Sequence, residues 1–180
     1  ITMSEIKISA RYALSLFDLA IEQKSLEQVH ANMKLFIEVC HENHSLIAIL
    51  KSPIIDGDKK ISVLEGIFSK HFNALSLVFI RTIIKKRREK YLHAIAMEFL
   101  ELFKTHNNIV SASVTTASAI SDKVKQQLKL NLQNQTGKTI ELECKVDPKL
   151  IGGIKIQLGD KLFDDSIAKK LNNLKLHLLN

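Results

Sequence analysis

The segment VDPKLIGGIKIQLGD, residues 146–160, contains three of the six glycines of the chain and one of its two prolines. Paired glycines between apolar runs occur in loops that bind phosphate groups and in tight corners of β-sheets. A dinucleotide-binding loop requires G-x-G-x-x-G followed by a helix, whereas these glycines precede the alternating residues Ile154, Ile156 and Leu158. The pattern therefore predicts a sheet corner followed by a strand, and not a phosphate site.

The residues around this segment predict a small α+β module. Residues 110–116 and 140–146 alternate between apolar and polar side chains, as half-buried strands do. A polar helix is expected between them, starting at Ser121 and ending at Gly137. A final helix is expected from about Ser166, with one apolar face made of Ile167, Leu171, Leu174 and Leu178.

The first 105 residues follow helical periodicity and predict a small bundle. Six helices are expected over residues 5–22, 25–41, 45–51, 58–69, 73–86 and 89–105. Asn107 and Asn108 interrupt this pattern and indicate a boundary near residues 105–109. The predicted architecture has two domains, an all-α six-helix bundle over residues 1–106 and an α+β module over residues 107–180.

The composition favours a soluble cytoplasmic protein. No apolar run is long enough to span a bilayer, and residues 1–10 lack the pattern of a signal peptide. The two cysteines, Cys40 and Cys144, fit no metal or redox spacing, which is typical of a reducing compartment. The net charge of +7 is spread along the chain, whereas nucleic-acid binding usually requires one concentrated basic face.

Three short motifs resemble functional sites, and each also has a structural explanation. TGKT at 136–139 lacks the earlier glycine of a phosphate-binding loop, since Leu132 stands at that position, so a helix end is expected. CHENH at 40–44 is one residue short of zinc-protease spacing. We therefore expect no catalytic, cofactor or metal site. KKRREK at 85–90 is a true basic cluster, for which nucleic-acid binding stays an alternative to complementing a helix C-terminus.

Two helices carry more apolar surface than one buried face requires. At about 100° per residue, helix 5–22 has two apolar stripes roughly 140° apart. One consists of Ile6, Ala10, Ala13, Leu14, Phe17, Ala20 and Ile21, and the other of Ile8, Tyr12, Leu16 and Leu19. Helix 73–86 is apolar around most of its circumference. The pattern favours an exposed hydrophobic groove between these two helices, suited to an amphipathic helix of another protein.

The chain resembles the delta subunit of the bacterial F-type ATP synthase, the counterpart of the mitochondrial oligomycin sensitivity-conferring protein. The resemblance rests on ARYALSLFDLA at 10–20, FIRTIIKKRR at 79–88 and VDPKLIGGIKIQLGDKLFDDSIAKKL at 146–171. The last stretch matches the family signature D-P-x-L-I-G-G, an alternating strand, G-D-x-x-x-D-x-S and a helix. Its signature residues, expected to be structural, are Asp147, Pro148, Gly152, Gly153, Gly159, Asp160, Asp164 and Ser166.

The chain departs from the family pattern at three places. The family often has glycine at the position of Asp165 and Arg-Gly at the positions of Ala168-Lys169. It commonly has E-N-x-R where this chain has Lys85-Lys86-Arg87-Arg88. The first two differences leave the expected fold unchanged and argue against an arginine-dependent contact of the last helix, and the third bears on charge matching to the partner.

The resemblance implies a non-catalytic stator subunit without a cofactor. Its first domain would bind the N-terminal segment of an alpha subunit at the top of the catalytic head, and its second the b-subunit peripheral stalk. It would lie at the cytoplasmic face of the bacterial inner membrane, without membrane insertion, nucleic acid or functional self-association. Family alpha segments bind as a helix to the first and fifth helices.

The residues expected to contact that helix are Tyr12, Leu16, Leu19, Phe79, Ile80, Ile83 and Ile84. Leu16→Asp is expected to abolish binding of the alpha peptide while leaving the bundle helical. A basic nucleic-acid-binding adaptor and an unrecognised nucleotide enzyme remain the alternatives.

Overall fold

A computed structural model describes residues 3–159 and 161–171 of the chain. Asp160 of the signature, and Leu174 and Leu178 of the expected final helix, lie outside these described residues. The chain divides into two compact units, Ile1–Phe103 and Lys104–Asn180. The fold class is confirmed, since a helical bundle precedes a small module with a mixed sheet.

The described part of the first unit contains helices close to the predicted positions. They are α1 (Met3–Glu22), α2 (Leu26–Glu42), α3 (His44–Lys51), α4 (Gly57–Phe68), α5 (Ala74–Lys85) and α6 (Leu92–His106). A 3₁₀ turn over Glu89–Tyr91 leads into α6. The α5 helix begins where predicted because the Asn73 side chain accepts a hydrogen bond from Ser76 N at 2.9 Å.

Aromatic side chains join the helices in the core of this unit. The rings of Phe17 in α1 and Phe99 in α6 meet edge-on with centroids 5.8 Å apart. Phe36 in α2 lies 5.5 Å from Phe68 in α4 by the same measure. Each buried aromatic side chain contributes about 1.5–3 kcal/mol, so these contacts fix which helices are neighbours.

A buried polar cluster ties α2 to the start of α5. In the amide orientation that satisfies its surroundings, Asn32 accepts hydrogen bonds from Ser76 Oγ at 3.1 Å and from Asn73 N at 3.0 Å. Its amino group then donates to the carbonyl oxygens of Gln28 and His71. A polar group this deeply buried must be satisfied, so the cluster sets one specific register between the two helices.

A buried lysine joins three further segments. Lys60 in the first turns of α4 is 1% exposed, and its Nζ donates to Glu89 Oε1 at 2.6 Å. The same Nζ donates to the carbonyl oxygens of Leu50 and Ser52, at 3.3 Å and 2.7 Å, at the end of α3. Lys60 therefore caps α3 and anchors the 3₁₀ turn at the same time.

The second unit is built on a sheet. In its described part the elements are β1 (Ile109–Thr116), α7 (Asp122–Thr136), β2 (Thr139–Val146), β3 (Ile154–Leu158) and β4 (Lys161–Asp164). The strand order is β2-β1-β3-β4, with β1 parallel to β2 and antiparallel to β3. The three predicted strands are present. The strand β4 was not predicted, because four residues are too few for alternation to be recognised.

One face of this sheet packs against α7. Ala112, Ile140 and Leu132 form the centre of that core, with Val110, Leu142, Ile156 and Leu158 around them. The connection from β1 through α7 to β2 returns to a parallel neighbour, which explains why a helix must lie between them.

The opening segment forms the corner between β2 and β3. Asp147 begins a 3₁₀ turn over Pro148–Leu150 by accepting a hydrogen bond from Lys149 N at 3.0 Å. Gly153 follows with φ of 80°, and a Cβ there would lie 2.4 Å from the carbonyl oxygen of Asp165. The backbone of residues 165–167 therefore crosses directly over the glycine pair, where Ile167 N donates to Gly152 O at 3.0 Å.

The segment that crosses the corner is itself held by two signature residues. Asp164 accepts a hydrogen bond from Ser166 N at 3.0 Å, and Ser166 Oγ accepts one from Lys169 N at 3.2 Å. The hydrogen bonds from Ser166, its hydroxyl first and its backbone second, lower the pKa of the Asp164 carboxyl. The described signature residues thus shape the corner and start the final helix, where Ile167–Leu171 is helical.

Replacing Lys60 by methionine should strongly destabilise the first unit. The Glu89 carboxylate would lose its cation while only 16% exposed, which costs about 3–5 kcal/mol. Urea denaturation followed by circular dichroism measures the change in the free energy of unfolding. The matched control is Arg81→Met, which breaks the exposed pair with Glu65 and should cost less than about 1 kcal/mol. Equal costs for the two variants would contradict the structural role of Lys60.

The two adjacent glycines of the corner should tolerate alanine very differently. Gly153→Ala places a methyl group against backbone at positive φ and should destabilise the second unit by roughly 2 kcal/mol or more. Gly152→Ala meets the Cδ1 atom of Ile167 at 2.7 Å, which a rotation of that side chain relieves, and should cost less than about 1 kcal/mol. Amide hydrogen exchange in β1 and β3 reports on both variants. Similar protection of these amides in the two variants would show that the backbone of residues 165–167 does not pass close to Gly153.

Candidate partner-binding surface

The two predicted stripes of α1 are the two sides of one broad apolar arc. The middle of this arc faces the core and consists of Ser9, Ala13, Leu16, Phe17 and Ala20, all of them buried. Opposite it lie the exposed charged residues Lys7, Arg11, Asp18 and Glu22. The bundle covers only the middle of the arc, so both margins remain partly open to solvent.

The first margin of the arc consists of Ile6, Leu14 and Ile21, which are 49%, 49% and 43% exposed. The second margin consists of Ile8, Tyr12 and Leu19, of which the first two are partly buried and Leu19 is 41% exposed. Of the predicted contact residues on α1, Tyr12 and Leu19 are therefore accessible. Leu16 has no exposed surface and belongs to the core.

Most of the predicted residues on α5 are also in the core. Ile80, Ile83 and Ile84 are buried, whereas Phe79 is partly buried. Phe79 lies with Ile80 around a small internal gap that is also lined by Met33, Phe36, Leu92 and Ile95, so it borders α2 and α6. The apolar circumference of α5 is thus largely explained by burial, and its exposed apolar residue is Val78.

The basic cluster adjoins the second margin of α1. The guanidinium of Arg88 lies 5.6 Å from the centroid of the Tyr12 ring, a cation–π arrangement. This contact is possible because the chain turns sharply after α5, where Arg87 adopts φ of 55° and Arg88 N donates to Ile83 O. The cluster at 85–90 therefore sits at a helix C-terminus, with Arg88 turned towards α1.

The residues that resembled functional motifs occupy structural positions. Cys40 of CHENH is buried, and burial raises the pKa of its thiol to about 11, which makes it unreactive at neutral pH. The His41 ring lies 6.0 Å from that of His93, whose pKa is lowered by burial first and then by His41 and Lys51. Gly137 of TGKT adopts φ of 65° and ends α7.

The described residues offer neither a metal site nor a membrane-spanning helix. Within residues 3–159 and 161–171, no group of three or more His, Cys, Asp or Glu side chains could hold a metal ion. Over the same ranges, no helix has the length and apolar character needed to cross a membrane. In the first unit, the accessible apolar margins of α1 and the neighbouring basic cluster are features that a partner could recognise.

Five exposed apolar residues of the second unit lie on β4, in the corner and at the start of the final helix, whereas Val124, Leu130 and Val146 are exposed on α7 and β2. Register places Phe163 opposite Ile156, on the face that forms the core, yet Phe163 is 58% exposed. Leu162 points to the other face and is 56% exposed. The exposed residues Ile151, Ile167 and Leu171 lie in the corner and final helix of the same unit. The alternation of apolar residues could not reveal these exposed side chains, because β4 is too short to be predicted from it.

The family profile and the related proteins that match this chain carry the same description. The profile of the family described as "ATP synthase delta (OSCP) subunit" matches residues 8–178. A protein named ATP synthase subunit delta from Chlorobaculum tepidum is 34% identical over 177 residues, which cover 98% of each chain. Its namesake from Cytophaga hutchinsonii is also 34% identical, over 96% of this chain and 94% of its own.

A solved structure shows a similar fold. One chain of the Toxoplasma gondii mitochondrial ATP synthase hexamer superposes with a TM-score of 0.75, covering 100% of this chain and 99% of its own. Its sequence identity is 18%, so the likeness concerns the fold alone.

Leu16 and Leu19 should respond differently to a charge. Leu16→Asp buries a carboxylate without a partner and should lower the free energy of unfolding by about 4 kcal/mol or more. Leu19→Asp leaves the new carboxylate in contact with water and should cost less than about 1 kcal/mol. Thermal and urea unfolding of both variants measure these costs. The burial of Leu16 therefore corrects the expectation that Leu16→Asp leaves the bundle intact, and a fully stable Leu16→Asp would reinstate it.

Proposed function

This chain belongs to the ATP synthase delta (OSCP) subunit family, and we propose that it acts as a non-catalytic stator subunit, linking the N-terminal segment of an alpha subunit to the b-subunit peripheral stalk. Membership makes it a subunit of the ATP synthase complex. In the proposed role it holds the catalytic head still against the rotor, so that torque from proton flow is used for ATP synthesis.

The apolar arc of α1 is the observation that carries this proposal. Ile8, Tyr12 and Leu19 lie along the second margin, and the eleven helical steps from Ile8 to Leu19 cover roughly 17 Å of helix. This spacing suits an amphipathic partner helix lying along α1, whose side chains would complete the coverage of the arc. Phe79, partly exposed on α5, remains in the proposed contact set.

The buried members of the predicted set support the proposal indirectly. Leu16, Ile80, Ile83 and Ile84 fill the core beneath the exposed residues and hold them on rigid helices. A stator contact must dissociate slowly under load, and apolar side chains on a rigid support favour slow dissociation.

For the second unit we place the stalk contact at the β4 side of the sheet. The exposed residues Phe163 and Leu162 lie on an edge strand, and Ile167 and Leu171 start the helix that follows. An apolar edge of this kind needs a covering element, and an elongated stalk helix is well shaped to provide one. The chain would then lie at the cytoplasmic face of the bacterial inner membrane through its partners.

The proposal is tested by titrating the full chain with the N-terminal peptide of the alpha subunit from the same organism. Leu19→Asp should weaken binding at least tenfold, about 1.4 kcal/mol, in isothermal calorimetry. The matched control is Ile67→Asp on α4, because Ile67 is also 41% exposed. That control should change the affinity less than about twofold.

Two outcomes would contradict this assignment. Equal losses in Leu19→Asp and Ile67→Asp would place the alpha segment away from the α1 margin. Absence of peptide binding together with tight, salt-sensitive binding of RNA would favour the nucleic-acid adaptor instead.

A further inference from the structure

A groove of about 640 Å³ lies on the first unit, and no described residue of α1 lines it. Its walls are the end of α3, the loop and first turn that begin α4, and the chain from the end of α5 to the 3₁₀ turn. Five basic residues line it, and we call it the basic groove: Lys51, Lys59, Lys85, Arg87 and Lys90. Its volume lies within the usual range of about 300–1,000 Å³ for ligand pockets.

The groove keeps a positive charge despite the acidic residues in its lining. Glu89 is neutralised by the buried Lys60, which lies 2.6 Å away. Asp56 and Asp58 stand at the N-cap and in the first turn of α4, where carboxylates complement the helix dipole. In the described part of the chain, Lys51, Lys59, Lys85 and Arg87 form no salt bridge. Their charges act together in a concave site, which strengthens the field there.

An aliphatic side chain stands beside these charges. Ile54, in the loop that forms one wall, is 89% exposed, and the adjacent groove residue Ile55 is partly exposed. The loop is shaped locally, since Ile54 N donates to Ser52 Oγ at 3.3 Å, and Lys60 fixes the carbonyl of Ser52. An isoleucine held open to water by an anchored loop offers an apolar contact next to the basic groove.

We infer that the basic groove binds an acidic segment of a partner polypeptide that also carries aliphatic side chains. The basic side chains of the groove would attract the carboxylates of this segment, and Ile54 would contact its aliphatic side chains. The 85–90 cluster forms one wall of the groove and also reaches Tyr12 through Arg88, but no described residue of α1 lines the groove. This inference therefore does not rest on the proposed stator contact.

Two other classes of anionic partner fit the groove less well. Nucleic acid requires aromatic or planar surfaces for base stacking, and no aromatic side chain lines the groove among the described residues. Its dense phosphates would also meet Asp56 and Asp58. A lipid surface requires a broad convex apolar face, whereas this site is concave and Ile54 is its one largely exposed aliphatic neighbour among the described residues, with Ile55 partly exposed.

The test is a titration of the full chain with a short fluorescein-labelled peptide of glutamate and isoleucine. Fluorescence anisotropy gives the affinity, and amide resonances in nuclear magnetic resonance locate the contact. Resonances of residues 51–59 and 84–90 should shift, and binding should weaken with added salt. A peptide with glutamine in place of glutamate should bind at least tenfold more weakly.

Matched charge reversals separate the groove from general attraction to a basic protein. Lys59→Glu with Lys85→Glu should weaken peptide binding at least tenfold, because both residues line the groove. Lys34→Glu with Lys70→Glu makes the same change in net charge at exposed sites outside it, and should reduce binding less than about threefold. Circular dichroism verifies that all four substitutions leave the helices formed. Ile54→Ser should weaken binding about threefold.

Several results would overturn the inference. These are an absence of peptide binding at low salt, equal losses in the two double variants, or resonance shifts spread evenly over basic residues of both units. Preferential binding of a single-stranded oligonucleotide would assign the groove to nucleic acid. Preferential binding of vesicles containing phosphatidylglycerol would assign it to a lipid surface.

Discussion

The ammonium group of Lys60 is buried where three segments of the first unit meet: the end of α3, the start of α4 and the 3₁₀ turn after α5. A lone buried cation would be very unfavourable, so its three acceptors must be held in place together. This requirement fixes the loop carrying Ile54 on one side and the basic cluster on the other. Because that cluster includes Arg88, which lies against Tyr12, the constraint also reaches the margin of α1.

The helix α1 illustrates how a small bundle can retain an apolar surface without losing its core. The middle of its arc is buried against neighbouring helices, as the ring contact of Phe17 with Phe99 shows. The margins, including Leu14 and Leu19, have no comparable cover. Neighbouring side chains of α1 thus serve the core and the proposed partner contact. The packing that buries Leu16 also sets the direction in which Leu19 points.

The fold was largely predictable because its helices and long strands have strong periodicity. The two ends of α7 followed from local chemistry, with Ser121 before it and Gly137 after it. The candidate site was less predictable: periodicity places Leu16 and Leu19 in one stripe, although one is buried and the other 41% exposed. That difference depends on which neighbouring helices cover α1, and the sequence pattern of α1 alone does not reveal them. The role of Lys60 could not be predicted for a similar reason, since its three acceptors lie eight, ten and twenty-nine residues away.

The two outer strands of the sheet differ in how they meet solvent. β2 carries Glu141, Glu143 and Lys145 on its outward face, and such charges discourage pairing with a strand of another molecule. β4 carries Leu162 and Phe163, and in the described chain no further strand pairs with it. A subunit made in excess of its partners would therefore expose an unpaired apolar edge strand, with which other nascent chains could aggregate. Balanced synthesis of the subunits would then matter for solubility as well as for assembly, a cost of keeping one edge open for docking.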